Sequence, residues 1–136
     1  MLVTPYLTFN GNCLEAMTFY KKCLGGTLTF QTVGSSPLAA KMPARMKKAI
    51  LHATLVKDNV TLMASDMVSD KGLTKGNAVS IMLDCNSEAE IRKLYKKLSQ
   101  EGKATQPLEN TFFGALLGGL TDKYSNNWLL HFNATK

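Results

Sequence analysis

Two histidines, three cysteines and a few aromatics are this chain's main resources for chemistry. His52 lies in the strand-like run Ala49 to Val56, and His131 lies in Trp128-Leu129-Leu130-His131-Phe132 near the end. Either imidazole can serve as a general base, or the pair as a partial metal site. The plainer reading is an imidazole satisfied by one hydrogen bond, because no carboxylate is tied to either histidine by spacing. Tyr6 and Trp128 sit on strands near the two ends of the chain. Each can stack on a flat or apolar ligand, or pack a core. Phe112 and Phe113 precede a glycine-rich apolar stretch, Gly114 to Leu120, which reads equally as cleft wall, dimer contact or flap. Met42 and Met46 suit an adaptable lid or an ordinary surface loop. Asp66 and Asp122 fall where aspartate commonly binds backbone amides, and are assigned structural roles. Cys13, Cys23 and Cys85 are odd in number and show no CxxC spacing. They read as small buried hydrophobes in a reducing cytoplasm rather than as a disulfide or zinc framework. There is no GxSxG, HExxH or P-loop to support a nucleophile, zinc-protease or nucleotide reading.

The elements that must position these residues come in two similar sets. Asn12-x-x-Glu15 opens one segment and Ser87-x-x-Glu90 another, an offset of 90 − 15 = 75 residues. Tyr20-Lys21-Lys22 recurs as Tyr95-Lys96-Lys97 at the same offset. Ala16, Phe19, Tyr20 and Cys23 map onto Ile91, Leu94, Tyr95 and Leu98, each set on one face of a helix. Both helices carry a capping-box signature, and glycine ends both, at Gly25-Gly26 and Gly102. Strands are expected at Thr4 to Phe9, Thr27 to Val33, Ala49 to Val56 and Val60 to Ala64, with a hairpin turn at Lys57-Asp58-Asn59. Gly34 to Lys47 reads as a loop. The second half repeats the order, with strands at Val79 to Leu83, Lys103 to Leu108, Thr111 to Leu117 and Trp128 to Phe132. The first strands of the halves look one residue out of phase. This is a duplicated βαβββ unit in an α+β layout with mainly antiparallel pairing. The expected organisation is one domain of two modules, about 1–68 and 77–134, joined by the polar stretch 69–76.

At 136 residues and 45% hydrophobic content, the chain has enough apolar side chain for a packed core. No apolar run approaches the length of a membrane span, and the start lacks signal-peptide features, so a cytoplasmic protein without membrane contact is expected. The net charge of +6 is concentrated in Lys41, Arg45, Lys47, Lys48 and in Arg92, Lys93, Lys96, Lys97. The second group occupies a solvated helix face, and without interleaved aromatics or a recognition motif the charge makes a weak case for nucleic acid.

Ordered along the chain, several stretches resemble the vicinal oxygen chelate superfamily, the glyoxalase/bleomycin-resistance/dioxygenase fold, and within it the PhnB-like branch. They are Pro5-Tyr6-Leu7-Thr8-Phe9-Asn10-Gly11-Asn12, Ala16 with Phe19-Tyr20 and Gly25-Gly26, then Leu51-His52-Ala53 and Leu62-Met63-Ala64-Ser65-Asp66. Phe113-Gly114, Asp122-Lys123-Tyr124 and Trp128 complete the set. The resemblance implies two βαβββ modules in a half-open barrel, usually a homodimer with a ligand cleft. It also implies a divalent metal held by His, Glu or Gln on the first and last strands of each module. Those positions fall near Pro5 or Tyr6, Thr61, Ala78 and Leu129, and none carries an imidazole or carboxylate.

The expected function is therefore binding of a small, partly apolar molecule, with Tyr6, His52, Phe113, Trp128 and His131 lining the cleft and no usual metal site. The alternative is a divalent-metal-dependent lyase, dioxygenase or resistance enzyme with a relocated site at His52 or His131. The branch often carries a demethylubiquinone methyltransferase label. A common methyltransferase needs a doubly wound sheet with a glycine-rich turn, an alternation this sequence lacks.

Overall fold

The computed structural model describes residues 1–134. The chain divides into two compact units, bounded as Met1–Thr74 and Lys75–Lys136. The first unit runs β1 (Tyr6–Thr8), α1 (Cys13–Leu24), β2 (Thr27–Thr32), β3 (Ile50–Lys57) and β4 (Val60–Ser65). The second runs β5 (Ile81–Asp84), α2 (Glu88–Leu98), β6 (Lys103–Asn110), β7 (Ala115–Thr121) and β8 (Asn127–Asn133). Each unit is one four-stranded mixed sheet, ordered β1-β4-β3-β2 and β5-β8-β7-β6. In each, the first strand pairs parallel with the last and the other pairings are antiparallel. One βαβββ unit is thus present in each half.

In the first unit α1 buries Ala16, Met17, Tyr20 and Cys23, and the sheet buries Ala53, Leu55, Leu62 and Ala64. Register aligns Ala53 with Ala64 and Leu55 with Leu62, so these four share one sheet face. In the second unit Trp128, Leu130, Leu116 and Leu120 form the buried face. A Cβ on Gly118 would lie 3.0 Å from the Tyr95 ring, which places α2 against this face.

Three local expectations need correction. Asn12 makes no side-chain capping bond to α1. Instead Asp66, from the end of β4, accepts the Gly11 and Cys13 amides on one oxygen at 2.9 and 3.0 Å, and the Ile50 amide on the other at 2.8 Å. A carboxylate distant in sequence has replaced the local cap. The strand expected at Thr111 to Leu117 begins and ends later, at Ala115–Thr121. Gly114 at φ +83° belongs to the turn, and Gly118 and Gly119 lie inside the strand. Glycine is tolerated there because α2 and neighbouring side chains approach the backbone closely. The stretch Gly34 to Lys47, expected as loop, is largely taken up by three short 3-10 helices, Val33–Ser35, Pro37–Lys41 and Ala44–Met46, the first of which takes Val33 from the expected strand.

The phase difference between the halves is visible in the pairing. Tyr6 stands opposite Met63, and Met82 opposite Leu129, on the faces turned away from the helices. First-strand positions correspond at 82 − 6 = 76 residues, one more than the helix offset.

Candidate functional site

With one face of each sheet under its helix, the other face carries the residues available for recognition. In the first unit this face presents Tyr6, Met63, Thr54 and His52. The β1-β4-β3 order and register bring Tyr6 beside Met63 and Met63 beside Thr54. The Tyr6 hydroxyl lies 3.4 Å from His52 Nδ1, a long hydrogen bond, and the rings are 5.9 Å apart. His52 Nε2 lies 3.1 Å from the Thr54 hydroxyl. Tyr6 and His52, 46 residues apart in sequence, thus meet at an exposed sheet face. The cluster combines an aromatic surface with hydroxyl and imidazole groups, suited to a ligand with a flat body and one polar edge.

In the second unit the corresponding face presents Met82, Leu129, Leu117, Asp84 and His131. Asp84 and His131 are register partners in the parallel β5–β8 ladder, and His131 Nδ1 is 2.9 Å from Asp84 Oδ1. Sequence reasoning missed Asp84, since the two residues are 47 apart and only strand pairing joins them. Its one sequence signal was a carboxylate at the end of an apolar run.

Trp128 is in the core, 1% exposed, with its indole N–H donating to Asp122 Oδ2 at 2.8 Å. The other Asp122 oxygen accepts the Tyr124 and Asn126 amides. Phe113 lies at the turn between β6 and β7, 55% exposed, edge-to-face with Phe112 at 5.2 Å. The three cysteines are buried. Burial, then the Asp66 charge, pushes Cys13 up to about 12, and burial, then Glu90, pushes Cys85 up to about 11, so neither is a thiolate nucleophile at neutral pH. Burial lowers the Lys75 ammonium, opposed by Asp122, while its Nζ donates to the Tyr124 carbonyl.

The resemblance seen in the sequence implies a divalent metal, and the side chains present do not fit one. On the first and last strands, the open faces offer Tyr6 with Met63 and Met82 with Leu129. Thr61 and Ala78 are not the facing partners: Thr61 pairs with Val56, and Ala78 precedes β5. One step along, Asp84 and His131 supply two ligand types, but they are bonded to each other. Among the described residues no three His, Cys, Asp or Glu side chains gather to hold an ion, whereas a catalytic site needs about three.

Comparison with known proteins places this geometry in context. Residues 2–131 match the family model described as 3-demethylubiquinone-9 3-methyltransferase. The crystal structure of protein PA1353 from Pseudomonas aeruginosa is 37% identical, covers 98% of each chain and superposes with a TM-score of 0.86. A putative 3-demethylubiquinone-9 3-methyltransferase, PhnB protein, from Bacillus cereus is 26% identical over 97% of this chain and 99% of that one, with a TM-score of 0.75. Protein YjdN of Escherichia coli K12 is 28% identical, covering 96% of this chain and 95% of its own length. A glyoxalase-related enzyme from Fulvimarina pelagi shares the fold at 16% identity, with a TM-score of 0.66 over 98% of this chain and 88% of that one.

Proposed function

The chain belongs to the family described as 3-demethylubiquinone-9 3-methyltransferase, of PhnB-like type, and on that premise we propose that it binds a small, partly apolar molecule on its open sheet faces. The observation that carries this reading is the exposed Tyr6–His52–Thr54 cluster beside Met63. It offers hydrogen bonds and an aromatic surface where a merely structural sheet face needs neither. Phe113 and His131 belong to the same proposal in the second unit. Trp128 contributes from the core, by holding β8 beneath Leu129 and His131. The odd cysteine count and the burial of Cys13, Cys23 and Cys85 support a reducing, cytoplasmic setting. The homodimer implied by the resemblance is part of the proposal.

Methyl transfer does not follow from the family's description. The two four-stranded mixed sheets lack the doubly wound parallel arrangement and glycine-rich turn that common methyltransferases use for the methyl donor.

The test is a thermal-shift screen of aromatic and apolar small molecules, repeated on His52→Ala and Tyr6→Phe. A ligand at about 100 times its dissociation constant adds about 2.7 kcal/mol and raises the melting temperature by several degrees. The reading expects such a ligand, with the shift reduced in both variants. A shift equal in wild type and variants would move the site elsewhere. Binding of S-adenosylmethionine with methyl transfer to any acceptor would overturn the binding-protein reading.

A further inference from the structure

The Asp84–His131 pair is a second polar feature, separate in residues from the Tyr6–His52 cluster. An ionised carboxylate only accepts hydrogen bonds, so His131 Nδ1 carries the proton and donates to Asp84 Oδ1 at 2.9 Å. In the neutral imidazole that fixes the tautomer and leaves Nε2 with a free lone pair. Among the described residues Nε2 has no hydrogen-bond partner, and no buried side-chain nitrogen or oxygen lacks one, so Nε2 is reached by solvent. The pair sits on the face opposite α2, next to Leu129 and Leu117, with exposed Met82 beside Leu129. By register, the other charged groups on that face are Glu109, paired with Leu117, and Lys103, paired with Thr121.

We propose that Asp84 and His131 form a proton-accepting site for an acidic hydroxyl, of phenol or enol type, carried on a flat apolar ligand. Nε2 offers only an acceptor, so the ligand must bring the donor. Proton transfer makes an imidazolium, which the Asp84 carboxylate stabilises, and the best match to a new cation is a new anion on the ligand. The ligand's O–H bond breaks, its electron pair stays on oxygen, and an N–H bond forms at Nε2. No oxidant, reductant or second substrate is needed. Met82, Leu129 and Leu117 supply the apolar ground, and the Met82 thioether suits an aromatic edge. This inference rests on the ligand-binding reading above and names a ligand class for its second-unit part.

The test uses 4-nitrophenol, whose phenolate absorbs in the visible. Phenolate absorbance and long-range proton–nitrogen spectra of the histidine rings are followed across pH in wild type, Asp84→Asn and His131→Gln. The expected result is a phenolate-to-phenol ratio about tenfold higher for bound than for free phenol at the same pH, a shift of one pKa unit, with His131 moving to the imidazolium pattern. Both variants should lose that gain. Should Asp84→Asn fail to fold by circular dichroism, the wild-type ring spectra decide alone. Binding that perturbs His52 but leaves His131 and phenol ionisation unchanged overturns this inference and leaves the ligand-binding reading standing. A gain that survives in Asp84→Asn overturns the carboxylate's part. Stoichiometric Zn²⁺ moving the His131 ring signals overturns it in favour of a metal. No perturbation by millimolar nitrophenol overturns it too, and the thermal-shift screen then judges the wider reading by itself.

Discussion

Asp66 shows how one side chain can secure three separate segments. Its carboxylate accepts amides from Gly11, Cys13 and Ile50, tying the β1–α1 loop, the start of α1 and the start of β3 to the end of β4. Asp66→Ala would leave these donors without an acceptor, and is expected to cost about 3 kcal/mol. Asp66→Asn keeps one accepting oxygen and should cost clearly less. Urea unfolding decides; a loss under about 1 kcal/mol for alanine would refute the account. The cysteines set an alkaline limit. An unfolded thiol ionises near 9.0, while folded Cys13 is held up to about 12 and Cys85 to about 11. Because the unfolded chain releases these protons first, the stabilisation is complete below pH 9 and is lost as pH rises toward the folded values. The Cys13 contribution is on the order of 4 kcal/mol across that window, at about 1.36 kcal/mol per unit. Cys13→Ala should flatten the decline of stability above pH 9; an unchanged slope would contradict the burial argument.

At the level of elements, the two helices begin alike in sequence and are capped differently. Ser87 Oγ accepts the Glu90 amide at 3.0 Å, and Glu90 reaches back to the Asn86 amide at 2.8 Å. Asn12 makes no equivalent bond. Ser87→Ala is therefore expected to cost about 1 kcal/mol and Asn12→Ala only a few tenths. Equal costs would mean that the duplicated signature acts the same way twice. The α1–β2 turn makes a sharper demand. Gly26 has φ +98°, and a Cβ there would clash with the Val56 carbonyl oxygen. Gly26→Ala should cost about 2 kcal/mol or more, read as a fall of several degrees in melting temperature.

For the whole molecule, the recurring order of strands in two units is the largest regularity. Because the side chains on its first and last strands do not make a three-ligand metal site, divalent ions are expected to leave its stability unchanged. Melting curves with Zn²⁺, Ni²⁺, Mn²⁺, Fe²⁺ and Mg²⁺ should fall within about 1 °C of the metal-free curve. A rise of several degrees with one metal, abolished by His131→Ala, would restore a metal enzyme. Sedimentation equilibrium should show a dimer of the 14.9 kDa chain at micromolar concentration. A monomer throughout would remove the homodimer from the proposal.

Helix positions, the repeat and the family were legible without coordinates because their signals are local or ordered along the chain. The 3.6-residue spacing of Ala16, Tyr20 and Cys23, and again of Ile91, Tyr95 and Leu98, is set by neighbours within one helix. The hairpin around Asp58 was legible for the same reason: Asp58 takes φ +50° between directly paired Lys57 and Val60. Tertiary structure alone decided which side chains meet. Parallel pairing of β5 with β8 joins Asp84 to His131 across 47 residues, and the order β1-β4-β3 lets Tyr6 approach His52 across 46. A strand's period of two tells which residues share a face, but says nothing about which strand lies alongside or in what register. The partners of both histidines, and the core position of Trp128 on Asp122, depended on that register and on the packing of each helix against one side of its sheet.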